Sequence, residues 1–329
     1  MRPRLGLLTG LGLSAVGYLG LVGLARRALV RQRSAAQLEP ALRAWLAQAG
    51  LVAQPHYLAT PVGVVHVLEA GAGPRAIVVL PGLRSSGGEF AELLARLARH
   101  TRVVAIDLPG TGLSDPVTFS GHPGQAWNQV VGAVADALDL GTFDLVGHSL
   151  GGLAAGGFAV AHPDRVGRVV LISPLGLSRR IPLLWQVAVV PGLMDLRGLY
   201  ERVIVARQGG AEASGSRPAS WSTALVRYQT EVCRRLGVGS DLTLPGRLFR
   251  PFGPGPESRL LPALGLLADR VLVLWGDQDR RMSLPDALAE LDYFPQIEVE
   301  VFRGAGHLLP VREPELVGRR ILEFLDSPR

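Results

Sequence analysis

The chain has 329 residues, a formal net charge of +6, and 48% hydrophobic against 19% charged residues. This composition excludes an intrinsically disordered chain, and the length suits one large domain with an insertion. The basic residues are all arginine and form no stretch interleaved with aromatic residues, which argues against nucleic-acid binding. Cys233 is the single cysteine, so no intramolecular disulfide is possible, and no Cys/His spacing suggests a metal site. The sequence predicts no cofactor.

The N-terminal segment is apolar enough to cross a membrane. Leu5 to Ala25 is uncharged and is flanked by arginine on both sides. As a helix it spans about 31 Å, close to the hydrocarbon core of about 30 Å. We therefore expect residues 1–33 to form a single-pass membrane anchor. Export after cleavage of a signal peptide is the alternative, since Gly23-Leu24-Ala25 resembles a cleavage site. The side of the membrane stays open.

Residues 34–55 are predicted to link this segment to a folded domain. Within them Gln37 to Gln48 places Leu38, Leu42, Trp45 and Leu46 on one helical face, so that Trp45 packs on the domain or rests near the lipid interface. Residues 56–174 then alternate between strand and helix patterns. This alternation predicts an α/β fold with a mostly parallel sheet and helices on both faces.

A Gly-x-Ser-x-Gly motif lies between a predicted strand, Thr142 to Val146, and a predicted helix, Leu150 to Ala161. In such a nucleophile elbow a sharp turn lifts the serine hydroxyl, here that of Ser149, above the carboxyl end of the sheet. Gly147 and Gly151 fit the close backbone approach, because a β-carbon at either position would clash. The motif therefore predicts Ser149 as a nucleophile, which needs a base and an acid to activate it.

The partners of an elbow serine follow it in the order acid, then histidine. His162 lies at the far end of the elbow's own helix, whereas His307 lies in a glycine-rich loop after a predicted strand and is the predicted base. Asp277 and Asp279 both follow the strand Val271 to Trp275. Either carboxylate could accept the imidazole N–H; we favour Asp279, since Asp277 suits a turn.

The regular alternation stops at Pro174 and resumes near Asp269. We expect residues 175–268 to form a helical cap inserted into the core, with residues 269–329 completing that core. Trp185 and Trp221 in this insertion, together with His148 beside the nucleophile, are predicted to line a substrate pocket, although ordinary packing would explain the two tryptophans equally well.

The chain resembles the α/β-hydrolase superfamily over roughly residues 57–325. The resemblance rests on the elbow and on Val78-Val79-Leu80-Pro81-Gly82-Leu83, Ile106-Asp107-Leu108-Pro109-Gly110 and the segments around Asp279 and His307. It implies an eight-stranded, mostly parallel sheet, a Ser149–His307–Asp279 triad, and an oxyanion hole formed by the N–H groups of Leu83 and Leu150. Pro81 departs from the His-Gly often found at its position, which puts the finer geometry of that hole in question.

Together these features predict a serine hydrolase that cleaves a carboxylic ester through an acyl-enzyme. The apolar N-terminal segment and cap favour a hydrophobic acyl group on a small-molecule substrate. The same triad also serves carbon–carbon bond hydrolases, thioesterases, acyltransferases and cofactor-free haloperoxidases, which remain alternatives. A non-catalytic, membrane-tethered binding protein of the same fold is a further alternative. The oligomeric state is not predicted.

Overall fold

The structure is a computed structural model that describes residues 37–83, 85–115, 117, 123–177 and 264–327, with short pieces between residues 224 and 260. The segment Leu5 to Ala25, Trp185, Trp221 and most of the predicted cap lie outside the described residues. Among the helices that are described, none is both long and apolar enough to cross a bilayer.

Within the described residues, eight strands form one sheet in the order β1-β2-β4-β3-β5-β6-β9-β10. β2 runs antiparallel to both of its neighbours, β1 and β4, and the other five pairs in this sheet are parallel. The strands are β1 (Gln54–Thr60), β2 (Gly63–Ala70), β3 (Ala76–Leu80), β4 (Arg102–Ile106), β5 (Phe143–His148), β6 (Val166–Ile172), β9 (Val271–Gly276) and β10 (Glu298–Phe302). A separate two-residue pair, β7 (Phe249–Arg250) and β8 (Gly253–Pro254), lies in the predicted cap. The predicted mostly parallel sheet is confirmed.

Helices cover both faces of this sheet. They are α1 (37–48), α2 (Ala91–Leu97), α3 (Pro123–Ala137), α4 (Leu150–Ala161), α5 (Leu284–Leu291), α6 (Leu309–Arg312) and α7 (Pro314–Asp326). The amphipathic pattern of Glu89 to Arg99 predicts one continuous helix, but the structure has a 3₁₀ turn, Gly87–Phe90, followed by α2. A second 3₁₀ turn, Gly265–Arg270, precedes β9.

Two hydrophobic cores lie on the two faces, as the alternation along β3 shows. Val78 and Leu80 pack with α3 and α4, whereas Ile77 and Val79 pack with α1, α2 and α7. Because successive side chains of a strand point to opposite faces, a fully apolar strand is what a sheet covered on both sides requires.

Helix α1 belongs to the folded unit. Leu38, Leu42 and Trp45 are at most 4% exposed and pack in the core shared with α2 and α7. The Trp45 Nε1–H donates a buried hydrogen bond of 2.8 Å to the carbonyl oxygen of Gly88, in the 3₁₀ turn after β3. Of the two positions predicted for Trp45, the structure therefore has it packed on the domain.

The carboxyl ends of β3, β5 and β9 converge at one edge of the sheet. β5 pairs with β3 and β6, and β6 pairs with β9, so that the loops after these strands are neighbours. In open parallel sheets ligands bind outside the carboxyl ends of the strands. Ser149, Leu83 and Asp279 all follow these strands directly.

Candidate active site

The turn at Ser149 has the backbone of a nucleophile elbow. Its φ of 53° and ψ of −115° lie outside the regions that a non-glycine residue favours, a conformation that costs on the order of 1–3 kcal/mol. Main-chain hydrogen bonds hold it: the Ser149 N–H donates to Ile172 O (3.0 Å), and the Leu175 N–H donates to Ser149 O (2.9 Å). The segment after β6 therefore fixes the serine at the end of β5.

The two glycines of the motif are required by the backbone around them. A Cβ on Gly151 would lie 2.0 Å from Leu80 O, and one on Gly147 would lie 2.3 Å from Gly151 O. Both distances are far inside van der Waals contact. Glycine at these positions is what allows β3, β5 and the start of α4 to approach each other around Ser149.

His307 and Asp279 form a buried hydrogen-bonded pair. His307 Nδ1 lies 2.8 Å from Asp279 Oδ2, and the side chains are 4% and 0% exposed. Since an ionised carboxylate only accepts hydrogen bonds, His307 Nδ1 carries the proton and Nε2 is left free to accept one. This is the tautomer that a general base needs.

The structure places Asp279, and not Asp277, against the histidine. Asp279 Oδ1 accepts hydrogen bonds from the N–H groups of Arg281 (2.8 Å) and Met282 (3.0 Å), which aim its other oxygen at His307. Asp277 instead accepts a 2.7 Å bond from the Gly304 N–H at the surface, in keeping with the predicted turn-forming role.

The environment of Asp279 favours its charged form. Burial by itself would raise the pKa of this carboxyl, but the charge and hydrogen bond of His307 and the two N–H donors outweigh burial and hold the pKa below its usual 3.8. Asp279 is therefore ionised near neutral pH and stabilises a positive charge on His307.

The loop after β3 lies directly against the elbow. A Cβ on Gly82 would come within 3.2 Å of Ser149 Cβ, which places the next residue, Leu83, beside the serine. In the part of the chain that the structure describes, the Leu83 N–H donates no hydrogen bond. Leu150 is the first residue of α4, and an N–H at that position has no acceptor within its helix. Among the described residues, neither of these two N–H groups beside Ser149 donates a main-chain hydrogen bond, as the predicted oxyanion donors require.

The sequence profile of the alpha/beta hydrolase family matches residues 77–320, about three quarters of the chain. The chain belongs to the alpha/beta hydrolase family. The matched range includes Leu83, Ser149, Asp279 and His307, but not α1, β1 or β2.

Known members of this family resemble the chain over most of its length. A 2-hydroxy-6-oxononadienedioate/2-hydroxy-6-oxononatrienedioate hydrolase from Cupriavidus pinatubonensis is 27% identical over 80% of this chain and 91% of its own. The structure of carboxylesterase CesB from Bacillus subtilis is similar with a TM-score of 0.70 over 90% of this chain and all of its own, at 23% identity. Naproxen esterase from the same organism has a TM-score of 0.72 at 22% identity, covering 88% of this chain and 98% of its own. At these identities the two solved structures establish the fold.

In this hydrolase, His148 is buried rather than open to the cleft. It is 3% exposed, and its Nε2 lies 2.8 Å from the main-chain oxygen of His307. Phe90 meets its ring edge-on at a centroid distance of 5.7 Å. The prediction that His148 contacts substrate stays a prediction, and Trp185 and Trp221 lie outside the described residues. The contact between His148 and His307 joins residues 159 positions apart, and no local sequence pattern signals it.

Glu89, in the 3₁₀ turn after β3, is also buried, and the sequence did not single it out. It is 8% exposed, and Ser85 Oγ donates a 2.9 Å hydrogen bond to its carboxylate. Burial raises the pKa of Glu89 from 4.5 to about 7; the Ser85 bond and the Arg281 charge oppose this rise, and the Asp107 charge adds to it. The hydrolase therefore carries a buried carboxyl in the turn after β3 that is mainly neutral below pH 7.

We expect Glu89→Gln to stabilise the protein above pH 7. Between pH 4.5 and 7 the folded state keeps a proton on Glu89 that the unfolded state loses, so the wild-type free energy of unfolding falls as pH rises, by up to about 3 kcal/mol. Glutamine is neutral at every pH, so the free energy of unfolding of the variant does not fall in this way as pH rises. The melting temperature of the variant should exceed that of the wild type by several degrees at pH 8 and match it near pH 4.5.

Glu323→Gln is the matched control, because its side chain is 59% exposed and lies 3.9 Å from Arg319, a surface pair of little weight. It should leave the melting temperature nearly unchanged at both pH values. Equal melting temperatures for Glu89→Gln and wild type at pH 8 would contradict a raised pKa at Glu89.

Proposed function

We propose that this hydrolase cleaves carboxylic esters through an acyl-enzyme on Ser149. The observation that supports this most directly is the buried 2.8 Å pair of His307 Nδ1 and Asp279 Oδ2, which leaves Nε2 unprotonated at the same sheet edge as Ser149. A serine is a weak nucleophile unless such a base removes its proton.

The proposed reaction has two steps. Ser149 Oγ attacks the ester carbonyl carbon while His307 Nε2 takes its proton, and the Leu83 and Leu150 N–H groups stabilise the resulting oxyanion. The intermediate collapses, and His307 returns the proton to the departing alcohol. Water then attacks the acyl-enzyme with His307 again as base, releasing the acid and restoring Ser149. Asp279 stays ionised and stabilises the imidazolium in both steps.

A hydrophobic acyl group is the proposed substrate class. Its support comes from the sequence: the predicted cap contains the apolar run Ile181 to Leu196, and the chain begins with the predicted membrane anchor. A long acyl chain would bury its apolar surface under such a cap, which stabilises the bound substrate in proportion to the area removed from water.

Hydrolysis of a carbon–carbon bond next to a ketone is the second candidate. The name of the Cupriavidus pinatubonensis relative supports it, because that hydrolase acts on a hydroxy-oxo dicarboxylate. In this chain Arg281 follows Asp279 closely, and its positive charge helps to lower the pKa values of the buried His148 and Glu89. A cation there would suit a substrate carboxylate, whereas a neutral fatty ester has no use for it.

We expect the full chain to hydrolyse p-nitrophenyl esters with a kcat/KM that rises from acetyl to longer acyl chains. Each added methylene that is buried contributes about 0.8 kcal/mol, or close to fourfold in kcat/KM, until the pocket is full. The measurement is initial rates across the series, with a 2-hydroxy-6-oxo-dienedioate tested in parallel.

The two substrate classes separate the candidates. Turnover of the dienedioate at a higher kcat/KM than of any ester would favour the carbon–carbon bond hydrolase. Turnover of neither class, together with failure of a fluorophosphonate to label Ser149, would refute a serine hydrolase of either kind.

A further inference from the structure

We propose that His148 is a positioning residue for the reaction at Ser149, acting through a hydrogen bond and a ring contact that fix the main chain and imidazole of His307. The inference rests on the proposed function, since it assigns a partner to the proposed base. It replaces direct substrate contact as the role of His148.

The hydrogen bond determines the tautomer of His148. Its Nε2 lies 2.8 Å from His307 O, and a carbonyl oxygen only accepts, so Nε2 carries the proton. Its Nδ1 is buried and has no hydrogen-bond partner in the described part of the chain. That nitrogen faces Gly82, where a Cβ would stand 3.2 Å from it. The surroundings therefore suit a ring with one proton, on Nε2. For a second proton, on Nδ1, the described residues provide no hydrogen-bond acceptor.

The ring of His148 also supports the ring of His307. The two centroids are 4.9 Å apart with an interplanar angle of 50°. On its other side His148 meets Phe90 at 5.7 Å and 86°. His148 thus contacts both the 3₁₀ turn after β3 and the proposed base.

The electrostatic environment favours His307, and not His148, as the imidazole that becomes positively charged during the reaction. Burial lowers the pKa of His148 from 6.5 to about 3; the charges of His307 and Arg281 lower it further, and the His307 carbonyl and Asp279 oppose this. Two adjacent imidazoles do not both ionise readily. An uncharged His148 therefore places no positive charge beside the imidazolium that forms on His307.

The second attachment matters because the other hydrogen bonds of the loop that carries His307 tie it to the loop after β9: the Gln278 N–H donates to Ala305 O (2.9 Å) and the Gly304 N–H donates to Asp277 Oδ1 (2.7 Å). The loop that carries His307 contains Gly304, at φ 73°, and Gly306. Asp279 holds the imidazole at Nδ1, and its hydrogen bonds within the described residues go to that ring and to the main chain of Gly276, Arg281 and Met282. The bond from His148, the residue directly before Ser149, ties the end of β5 to the main chain of His307 and so sets the spacing between nucleophile and base.

The test compares His148→Phe with His148→Gln in the full chain. Phenylalanine keeps a planar ring but cannot donate, and we expect kcat to fall about 10- to 100-fold with KM within twofold of wild type, as for a small misplacement of a catalytic group. Glutamine places an amide N–H near the position of Nε2, so it should recover most of the lost kcat. If His148 served only to stabilise the fold, both substitutions would lower the melting temperature, and the two variants would have the same kcat.

Three results would overturn the inference: wild-type kcat in His148→Phe, equal loss in the phenylalanine and glutamine variants, or an increase in KM with kcat unchanged. If His148→Phe does not fold, His148→Met serves, because its flexible side chain fills irregular gaps and donates no hydrogen bond. Wild-type turnover and labelling of Ser149 by a fluorophosphonate are measured first. Their absence would count against the proposed function, whereas the variant comparison decides the role of His148.

Discussion

Ser149→Ala should reduce kcat by about 10⁴-fold or more, because the serine triad acts as a unit and loses nearly all of its effect with the nucleophile. The residual rate would come from the oxyanion donors and from substrate binding, which the substitution leaves in place. Alanine retains the Cβ of serine, so the backbone at φ 53° is no more strained than before, and the variant should fold. The measurement is kcat on the best p-nitrophenyl ester, with circular dichroism as the check on folding.

Ser173→Ala is the matched control for this experiment. Ser173 follows β6, is fully buried and also has a positive φ, 41°, and its hydroxyl has no hydrogen-bond partner in the described part of the chain. Loss of that hydroxyl should leave kcat within about threefold of wild type. Substantial activity in Ser149→Ala would refute the assignment of the nucleophile, whatever the control shows.

Asp279→Asn should lower kcat by about 10⁴-fold, the size of effect that follows from the wrong histidine tautomer in a serine triad. The asparagine oxygen can keep the two hydrogen bonds from Arg281 and Met282, which then turns the amide NH₂ toward His307 Nδ1. Nδ1 would have to accept instead of donate, so the proton moves to Nε2. His307 could then no longer accept the proton of Ser149.

Asp277→Asn is the companion variant, two residues away on the same loop. Its side-chain oxygen accepts from the Gly304 N–H, and an asparagine oxygen accepts equally well. We expect kcat within about threefold of wild type. The NMR signal of the His307 Nδ1 proton, present in Asp277→Asn and absent in Asp279→Asn, would report the tautomer directly. Equal activities in the two variants would contradict Asp279 as the acid.

Several strands and helices of the core could be predicted from the sequence because local patterns determine them. The sequence pattern predicts strands at Ala76–Leu80 and Arg102–Ile106 and a helix at Leu150–Ala161, and the structure has the same bounds. The strand periodicity, the glycine motif and the helix stop at His162-Pro163 are each readable within a few residues. The eight-stranded sheet itself followed from the family resemblance, since pairing order is a non-local property.

The candidate site could be predicted only in part, for the same reason. Ser149 and His307 stand in short, informative motifs, but the choice between Asp277 and Asp279 depends on how the loop after β9 folds, and the sequence alone favoured one without excluding the other. The buried state of Glu89 and the contact of His148 with the His307 carbonyl depend on packing between distant segments. No periodicity or spacing indicates them.

The docking of α1 extends the folded unit well beyond the range shared with the family. The range shared with the family starts at residue 77, yet Leu38, Leu42 and Trp45 are buried in one of the two cores, and Trp45 holds the carbonyl of Gly88. A chain shortened to the shared range would expose the surfaces that α1, β1 and β2 cover and would lose that donor. Large exposed apolar patches lead to association, so a shortened chain that stays folded must keep α1 together with β1 and β2.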